Sequence, residues 1–225
     1  MKKIMYIITV LLLCLGFTTS TGTASEINVN NQDQIDEGYT NFIMPVYNRT
    51  KDYGVFNKEG NDVTELFITD TKDFNNNKQY EKIREYLTKN EFSVAKTTFI
   101  KNKQLNRASS GTSGIFSKEY LDYVPMTDAN GKKISSVMIC YIIKCSASTD
   151  YNYNITSYGK PSVTKTSGKP GWFMDEISTN SKIEGKYVKI SVSFRACWKF
   201  SNSGGSTVFR SDKKVSKTEK YNPLK

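Results

Sequence analysis

The chain has 225 residues, with 32 Lys and Arg against 22 Asp and Glu and a formal net charge of +10, and it contains no histidine. Catalytic relays that pair histidine with serine or cysteine, and metal sites with histidine ligands, are therefore excluded. A mean hydropathy of -0.52 excludes a membrane protein with several spanning helices. The length suits one domain, or a small module beside a larger one.

Residues 1–25 have the three-part pattern of a secretory signal peptide. Two lysines precede an apolar run at residues 4–17, and a short segment of small and polar residues follows. This run is shorter than the roughly 20 apolar residues that a spanning helix needs. We expect cleavage near Ala24 or Ser25, a secreted mature chain, and no transmembrane segment after that cleavage.

The two halves of the expected mature chain carry net charges of opposite sign. Residues 26–100 hold 13 acidic and 9 basic side chains, whereas residues 101–225 hold 9 acidic and 21 basic ones. A strongly basic half favours association with anionic partners, although it does not determine a fold. For a secreted protein we expect these partners to be anionic cell-wall polymers, glycans or a membrane surface rather than nucleic acid.

The first half is predicted to contain a leader and a small α+β module. Residues 26–40 are polar, and this composition favours a disordered leader. The module spans residues 41–100, where the stretches at 42–44 and 53–56 have the composition of short strands. A turn rich in Asn and Gly follows at residues 57–62.

One amphipathic helix is predicted within the module, at residues 78–90. Tyr80, Ile83 and Leu87 fall on one face at helical spacing. Residues 101–114 follow as a linker, because the Gly and Ser at its end bury little and leave the backbone flexible.

Residues 115–218 are predicted to form an antiparallel β-domain, either a sandwich or a meander, followed by a tail at 219–225. Asn130 and Gly131 are the signal for a tight hairpin. Residues 187–200 alternate between apolar and polar positions, which predicts a long strand with one buried and one solvated face. The predicted fold class is mainly β, with one helix in the N-terminal segment.

The order of these segments resembles uncharacterised small secreted proteins of Gram-positive bacteria. The resemblance includes the signal peptide, the turn sequence at residues 57–67, a Lys- and Glu-rich helix, an Arg-Ala-Ser-Ser junction at residues 107–110 and a Tyr-rich sheet. It implies a secreted protein and no particular activity.

Removal of the signal peptide leaves three cysteines, an odd number for an exported chain. Cys140 and Cys145 are five positions apart and point to opposite faces of a regular strand. Cys197 lies on the solvated face of the alternating strand. A disulfide between Cys140 and Cys197 is one hypothesis, provided that their strands are neighbours in register, and three reduced thiols are the other.

The strongest binding feature is a group of aromatic rings and lysines in or near turns. Exposed rings beside lysines can stack on sugars or attract anionic polymers. The competing interpretation is that the tyrosines cover one face of a sheet. The candidate binding residues are Tyr151, Tyr153, Tyr158, Trp172, Lys160, Lys165 and Lys169.

Catalytic and metal chemistry has weaker support. Segments that start at Asp73 and Asp150 begin like calcium loops but lack the glycine and glutamate that an EF-hand requires. Asp175 and Glu176 are adjacent, point to opposite faces of a strand, and cannot flank one glycosidic bond. We therefore predict no catalytic residue, no metal site and no cofactor. A Ser-Lys nucleophile would require a cleft with convergent polar groups.

The sequence thus favours a secreted, non-enzymatic β-sheet protein that binds at the cell surface or to anionic or glycan polymers. The alternative hypothesis is a secreted antagonistic protein, bacteriocin-like or pore-forming, in which the alternating segment at residues 187–200 inserts or assembles.

Overall fold

The computed structural model describes residues 37–102, 113–150, 152 and 154–222. Most of this part of the chain forms strands of one large antiparallel sheet, with short helical segments near its N-terminal end. The prediction of a mainly β antiparallel fold with a small α+β segment is confirmed. The predicted signal peptide, and most of the predicted leader and linker, lie outside the described residues.

The helical segments precede most of the sheet. A π-helical turn, Tyr39–Ile43, continues into α1, Met44–Tyr47, and two longer helices follow, α2, Thr64–Asn76, and α3, Tyr80–Lys89. The helix predicted at residues 78–90 is therefore confirmed.

The strand predicted at residues 42–44 is wrong, because this stretch is helical. Phe42, Ile43 and Val46 are all buried, and their spacing matches one face of a helix. Three apolar residues alone cannot distinguish this face from a short strand. The helical turns also begin before residue 40, so they extend into the segment predicted as the leader.

Ten strands are present in the described part of the chain. They are β1, Tyr53–Phe56; β2, Ser93–Asn102; β3, Ser113–Thr127; β4, Lys133–Thr149; β5, Ile155–Tyr158; β6, Ser162–Gly168; β7, Trp172–Glu184; β8, Tyr187–Asn202; β9, Gly205–Ser211; and β10, Val215–Tyr221. The predicted hairpin joins β3 to β4, and Gly131 within it has a φ of 80° that glycine adopts without strain.

The sheet folds back on itself to give two packed layers. The first layer has the order β1-β2-β3-β4, with β5 and β6 on the far edge of β4. In the second layer β8 pairs with β7 on one edge and with β9 and β10 on the other. The layers join where Met126 and Thr127 of β3 pair with β9. Between them the rings of Tyr141 and Phe194 meet edge to face, with centroids 4.9 Å apart.

Strand β8 shows the predicted alternation. Its even-numbered residues from Val188 to Trp198 are buried between the layers, whereas Lys189, Ser191, Ser193 and Arg195 face outwards. Burial of six side chains on one face of a strand that is paired on both edges makes β8 the central element of the second layer.

The helices cover the other side of the first layer. Phe67, Ile83 and Leu87 from the helices pack in one cluster with Leu121 and Met138 from β3 and β4. Strand β2, from the predicted small module, pairs with β3 of the predicted β-domain. The described parts of these two predicted segments therefore share one sheet.

Of the two hypotheses for the cysteines, the Cys140–Cys197 disulfide is wrong and three reduced thiols are found. Cys140, Cys145 and Cys197 are buried free thiols. The disulfide required the strands of the two cysteines to be neighbours in register, but β4 and β8 are not hydrogen-bonded to each other. Cys140 belongs to the cluster beneath the helices, whereas Cys197 lies opposite Arg210 on the outer side of the second layer. The two thiols therefore point away from each other across the molecule.

Candidate functional site

The predicted group of aromatic residues does not form one exposed surface in the described part of the chain. Tyr151 and Tyr153 lie outside the described residues. Tyr158 is 41% exposed on β5, but Trp172 is only 1% exposed. The Trp172 indole donates a hydrogen bond to the Ser167 carbonyl. The prediction of Trp172 as an exposed binding ring is therefore wrong, because this ring fills the interior between the layers.

Two of the three predicted lysines contact buried tryptophans. The Lys165 ammonium donates a 2.8 Å hydrogen bond to the Trp172 carbonyl and lies 5.3 Å from the centroid of its ring. The Lys169 ammonium lies 5.6 Å from the Trp198 ring, and its burial lowers the pKa of Lys169. Lys160 is exposed. Lys165 and Lys169 therefore pack on buried tryptophan rings and do not lie beside an exposed one.

A surface of a different kind lies on the outer side of the second layer, formed by β7, β8, β9 and β10. We call it the basic face. At one end, strand register places Lys182, Lys189 and Lys220 side by side on three adjacent strands. All three ammonium groups point at Glu184, with N–O distances of 3.3, 3.9 and 3.1 Å. One carboxylate therefore offsets only part of the charge of three lysines.

A second cationic cluster lies at the other end of the basic face. Arg195 and Lys214 each contact the Glu176 carboxylate at 3.0 Å. Arg210 lies 3.9 Å from Asp175. Hydrogen bonds from Lys214 and Arg195 lower the pKa of Glu176, so this acid remains ionised near neutral pH and organises the cations around it.

Uncharged polar groups separate the two clusters. They are Ser178, Asn180, Ser191, Ser193, Ser216 and Thr218. The two clusters and Lys199 bring seven cations to the basic face, and three carboxylates contact them; Lys186 and Asp212, both exposed, lie in the adjoining turn and link. The surface is thus rich in hydroxyl and cationic groups.

A cleft of about 470 Å³ opens beside the basic face, between the end of α3, β3 and the link from β9 to β10. Lys58 and Lys213 at its rim both contact Glu91, at 3.8 and 2.9 Å. The apolar groups along its walls come from Leu87, Phe92, Tyr123, Val124, Pro125 and Val215. No sequence pattern predicts this cleft, because its walls come from segments far apart in the chain.

Ser93, Lys217 and Asp122 form the polar floor of the cleft. The Lys217 ammonium donates a hydrogen bond to Ser93 Oγ and lies 3.3 Å from an Asp122 carboxylate oxygen. The Tyr141 hydroxyl donates a 2.8 Å hydrogen bond to the same carboxylate. The Lys217 and Asp122 side chains are 10% and 8% exposed, so this pair is almost removed from water.

A second buried pair continues this network between the layers. The Lys118 ammonium lies 3.0 Å from a Glu219 carboxylate oxygen, and the Tyr120 hydroxyl donates to the same oxygen. Burial lowers the pKa of Lys118, and the Glu219 carboxylate opposes this change. The two lysines and two carboxylates of the network balance in charge, so the floor of the cleft has no spare charge for a ligand.

The Ser93–Lys217 contact resembles a Ser-Lys nucleophile in its atoms but not in its electrostatics. A lysine that activates serine must be neutral to accept the hydroxyl proton. Here Lys217 forms an ion pair with Asp122, with an N–O distance of 3.3 Å. Ser93 is only 1% exposed, which restricts the approach of a substrate to its hydroxyl. The arrangement is therefore suited to holding β2, β3 and β10 together.

The segments that begin like calcium loops have other roles. Asp73 lies within α2, and the Asp150 carboxylate accepts a 2.8 Å hydrogen bond from the Asn154 backbone amide, which closes a loop. In the described part of the chain, no cluster of Cys, Asp or Glu has a geometry that could hold a metal. A helix long and apolar enough to cross a membrane is likewise not found there.

The sequence contained a signal for the basic face but not for the cleft. The alternation at residues 187–200 places Lys189, Arg195 and Lys199 on one solvated face. Only the register with β7 and β10 shows that Lys182 and Lys220 join them. Comparison of the chain with protein-family models, curated proteins and solved structures found no match.

Proposed function

We propose that the protein is a secreted, non-enzymatic β-sheet protein that binds anionic polymers at the cell surface through its basic face. The observation that carries this proposal is the convergence of Lys182, Lys189 and Lys220 on Glu184. Three exposed or half-exposed cations around one carboxylate leave an excess of positive charge, which attracts anionic groups. The signal-peptide pattern of residues 1–25 supports the location.

The size of the basic face favours a polymer over a single small anion. Lys189 and Arg195 lie six residues apart on one strand, so the two cationic clusters are about 20 Å apart at a strand rise of about 3.3 Å per residue. A chain with repeated anionic groups can contact both clusters at once. The hydroxyl groups between them can bind sugar or phosphate oxygens.

Retention on isolated cell wall tests the proposal. We expect the wild-type protein to be retained at about 20 mM salt and released at about 0.5 M, because salt screens interactions between exposed charges. The double variant Lys182→Glu with Lys220→Glu should reduce retention about tenfold, since it reverses two charges of one cluster.

The matched control is Lys58→Glu with Lys213→Glu, which changes the net charge equally at the rim of the cleft. We expect this control to be retained like the wild type. Equal loss in both variants would show that only net charge matters, and no retention of the wild type at low salt would overturn the proposal.

Two further assays separate the other hypotheses. Dye release from anionic liposomes would favour the antagonistic alternative, which requires β8 to leave its pairing with β7, β9 and β10. Covalent labelling of Ser93 by a fluorophosphonate would overturn the non-enzymatic part of the proposal. We expect neither dye release nor labelling, because the apolar face of β8 is buried, Ser93 is only 1% exposed, and Lys217 is paired with Asp122.

A further inference from the structure

The cleft beside the basic face has the size and lining of a small-molecule site. Its volume of about 470 Å³ lies within the roughly 300–1,000 Å³ of typical ligand pockets. Phe92, Val124 and Val215 are partly exposed along its walls, and Pro125 is exposed. These side chains offer an apolar surface that water now contacts and that a ligand could cover.

The charge available to a ligand lies at the rim of the cleft. Lys58 and Lys213 are 65% and 83% exposed and both contact the Glu91 carboxylate, and Lys58 also lies 3.9 Å from Glu59. The residues that line the cleft include four lysines, Lys58, Lys213, Lys214 and Lys217, against three acids, Glu91, Asp122 and Asp212, so the lining carries one more positive than negative charge. A hydrogen bond from Lys213 lowers the pKa of Glu91, so this carboxylate holds both lysines near neutral pH.

Glu91 stands directly after the end of α3. Glu91 follows Asn90, the residue that ends α3, and has a φ of 53°, a left-handed conformation that glycine adopts without strain. Lys78, which follows Asn77 at the end of α2 in the same way, has a φ of 54°, so both helices end in the same manner.

The floor of the cleft, unlike its rim, has no excess of positive charge. Its only ammonium, that of Lys217, is neutralised by Asp122. An anionic group that entered to this depth would meet the Asp122 carboxylate without an unpaired cation to offset it. The distribution of charge therefore orients a ligand, with its anionic group at the rim and its apolar part inside.

From these observations we propose that the cleft binds a small amphipathic anion, a molecule with one carboxylate or phosphate-like group and an apolar body. Lys58 and Lys213 bind the anionic group, and Phe92, Pro125 and Val215 contact the apolar body. Lys214 of the Glu176 cluster also lines the cleft, but the proposed contacts to the anionic group come from Lys58 and Lys213, which the polymer-binding proposal does not use.

Calorimetric titration with octanoate tests this site in the protein that lacks residues 1–25. Octanol, which has the same chain without the charge, and inorganic phosphate, which has charge without the chain, are the comparison ligands. We expect saturable octanoate binding with a dissociation constant below about 1 mM, and binding of octanol and phosphate at least about tenfold weaker.

Two matched variants locate the binding. Lys58→Glu with Lys213→Glu should weaken octanoate binding at least about tenfold, because it reverses the charge of the rim. Lys182→Glu with Lys220→Glu, the same change of charge on the basic face, should alter it by less than about twofold, since neither lysine lines the cleft and salt screens interactions between exposed charges. All four lysines are exposed or near the surface, so neither variant threatens the fold.

The proposal of this site is overturned if octanoate binding does not saturate, if octanol binds as tightly as octanoate, or if both variants weaken octanoate binding equally. The rim variant should still be retained on cell wall, whereas the basic-face variant should not. Failure of the small-anion site and failure of the polymer-binding proposal are therefore distinguishable.

Discussion

Tyr141 and Tyr123 are both buried in the first layer, but their hydroxyl groups differ in hydrogen bonding. The Tyr141 hydroxyl donates to Asp122 at 2.8 Å. The Tyr123 hydroxyl has no hydrogen-bond partner among the described residues. A buried hydroxyl stabilises a fold only when it is paired, because folding removes it from water.

Removal of these two hydroxyl groups should therefore have different effects. Tyr123→Phe should leave the free energy of unfolding unchanged within about 0.5 kcal/mol or increase it, whereas Tyr141→Phe should lower it by about 1–3 kcal/mol. Urea denaturation of both variants measures the difference. Equal destabilisation by the two substitutions would contradict the hydrogen-bond assignment.

The three cysteines of the described chain should be unreactive in the folded protein. Burial raises the pKa of Cys140 to about 12 and that of Cys145 to about 11, and it also raises the pKa of Cys197. Because the thiolate is the reactive form, a thiol reagent near pH 8 should label none of them before unfolding. Unfolding without reductant, in the chain lacking residues 1–25, should expose three thiols. A count of one would instead support a disulfide.

The turn between β1 and α2 packs closely against β10. Gly60 in this turn has a φ of 83°, and a Cβ atom at this position would lie 2.6 Å from the Thr218 carbonyl oxygen of β10. Gly131, in the hairpin between β3 and β4, has a φ of 80° and no atom within 4 Å of the corresponding position. The two glycines therefore share a backbone conformation but differ in their surroundings.

Substitution of each glycine by alanine should therefore have a different cost. Gly131→Ala should cost about 1 kcal/mol for the left-handed backbone alone. Gly60→Ala should cost more, by about 1–3 kcal/mol, because the new methyl group displaces the turn from β10. Thermal or urea unfolding of the two variants checks the difference. Equal costs would show that the turn does not pack tightly on β10.

A helix or strand can be predicted from sequence when its apolar residues repeat with a regular spacing or when a turn marks its end. The alternation of β8 and the face of α3 were both readable, because each repeats over several residues. The segment at 42–44 was too short to show a period. Trp172 follows a turn, and its position alone did not show that its ring faces the interior. Burial depends on the layer that packs opposite, which no local pattern contains.

For the whole molecule, the mainly β fold was predictable from sequence, whereas only part of the basic face and none of the cleft could be predicted. The basic face requires the register between β7, β8 and β10. The cleft brings Lys58, Ser93, Asp122 and Lys213 together from four separate parts of the chain. Such contacts depend on how the sheet folds back on itself, and composition indicates only that a basic surface exists somewhere.

The burial of many weak acids predicts how the whole molecule responds to alkali. Besides the cysteines, the pKa of Tyr47 and that of Tyr86 are raised to about 12, and burial also raises the pKa of Tyr120 and Tyr141. These groups keep their protons in the folded state at pH values where the unfolded chain, with ordinary values of 9.0 for cysteine and 10.0 for tyrosine, has released them.

The free energy of unfolding should therefore fall as the pH rises from about 9 to about 12, because the unfolded state binds fewer protons in this range. Lys118 and Lys169 act in the opposite sense, since burial lowers the pKa of each, but the buried acids outnumber them. Urea denaturation across this range, with tyrosinate absorbance as a second signal, measures the effect. A constant free energy of unfolding would contradict it.

The network between the layers has a consequence for biosynthesis. Lys118 and Glu219 are 101 residues apart, and β10 carries both Glu219 and Lys217. At a synthesis rate of about 5–20 residues per second, Glu219 is synthesised roughly 5–20 s after Lys118. During that time the Lys118 ammonium has no carboxylate to accompany it into the interior. The sheet can therefore complete its fold only after β10 has been synthesised, which leaves an interval in which the proposed export can begin.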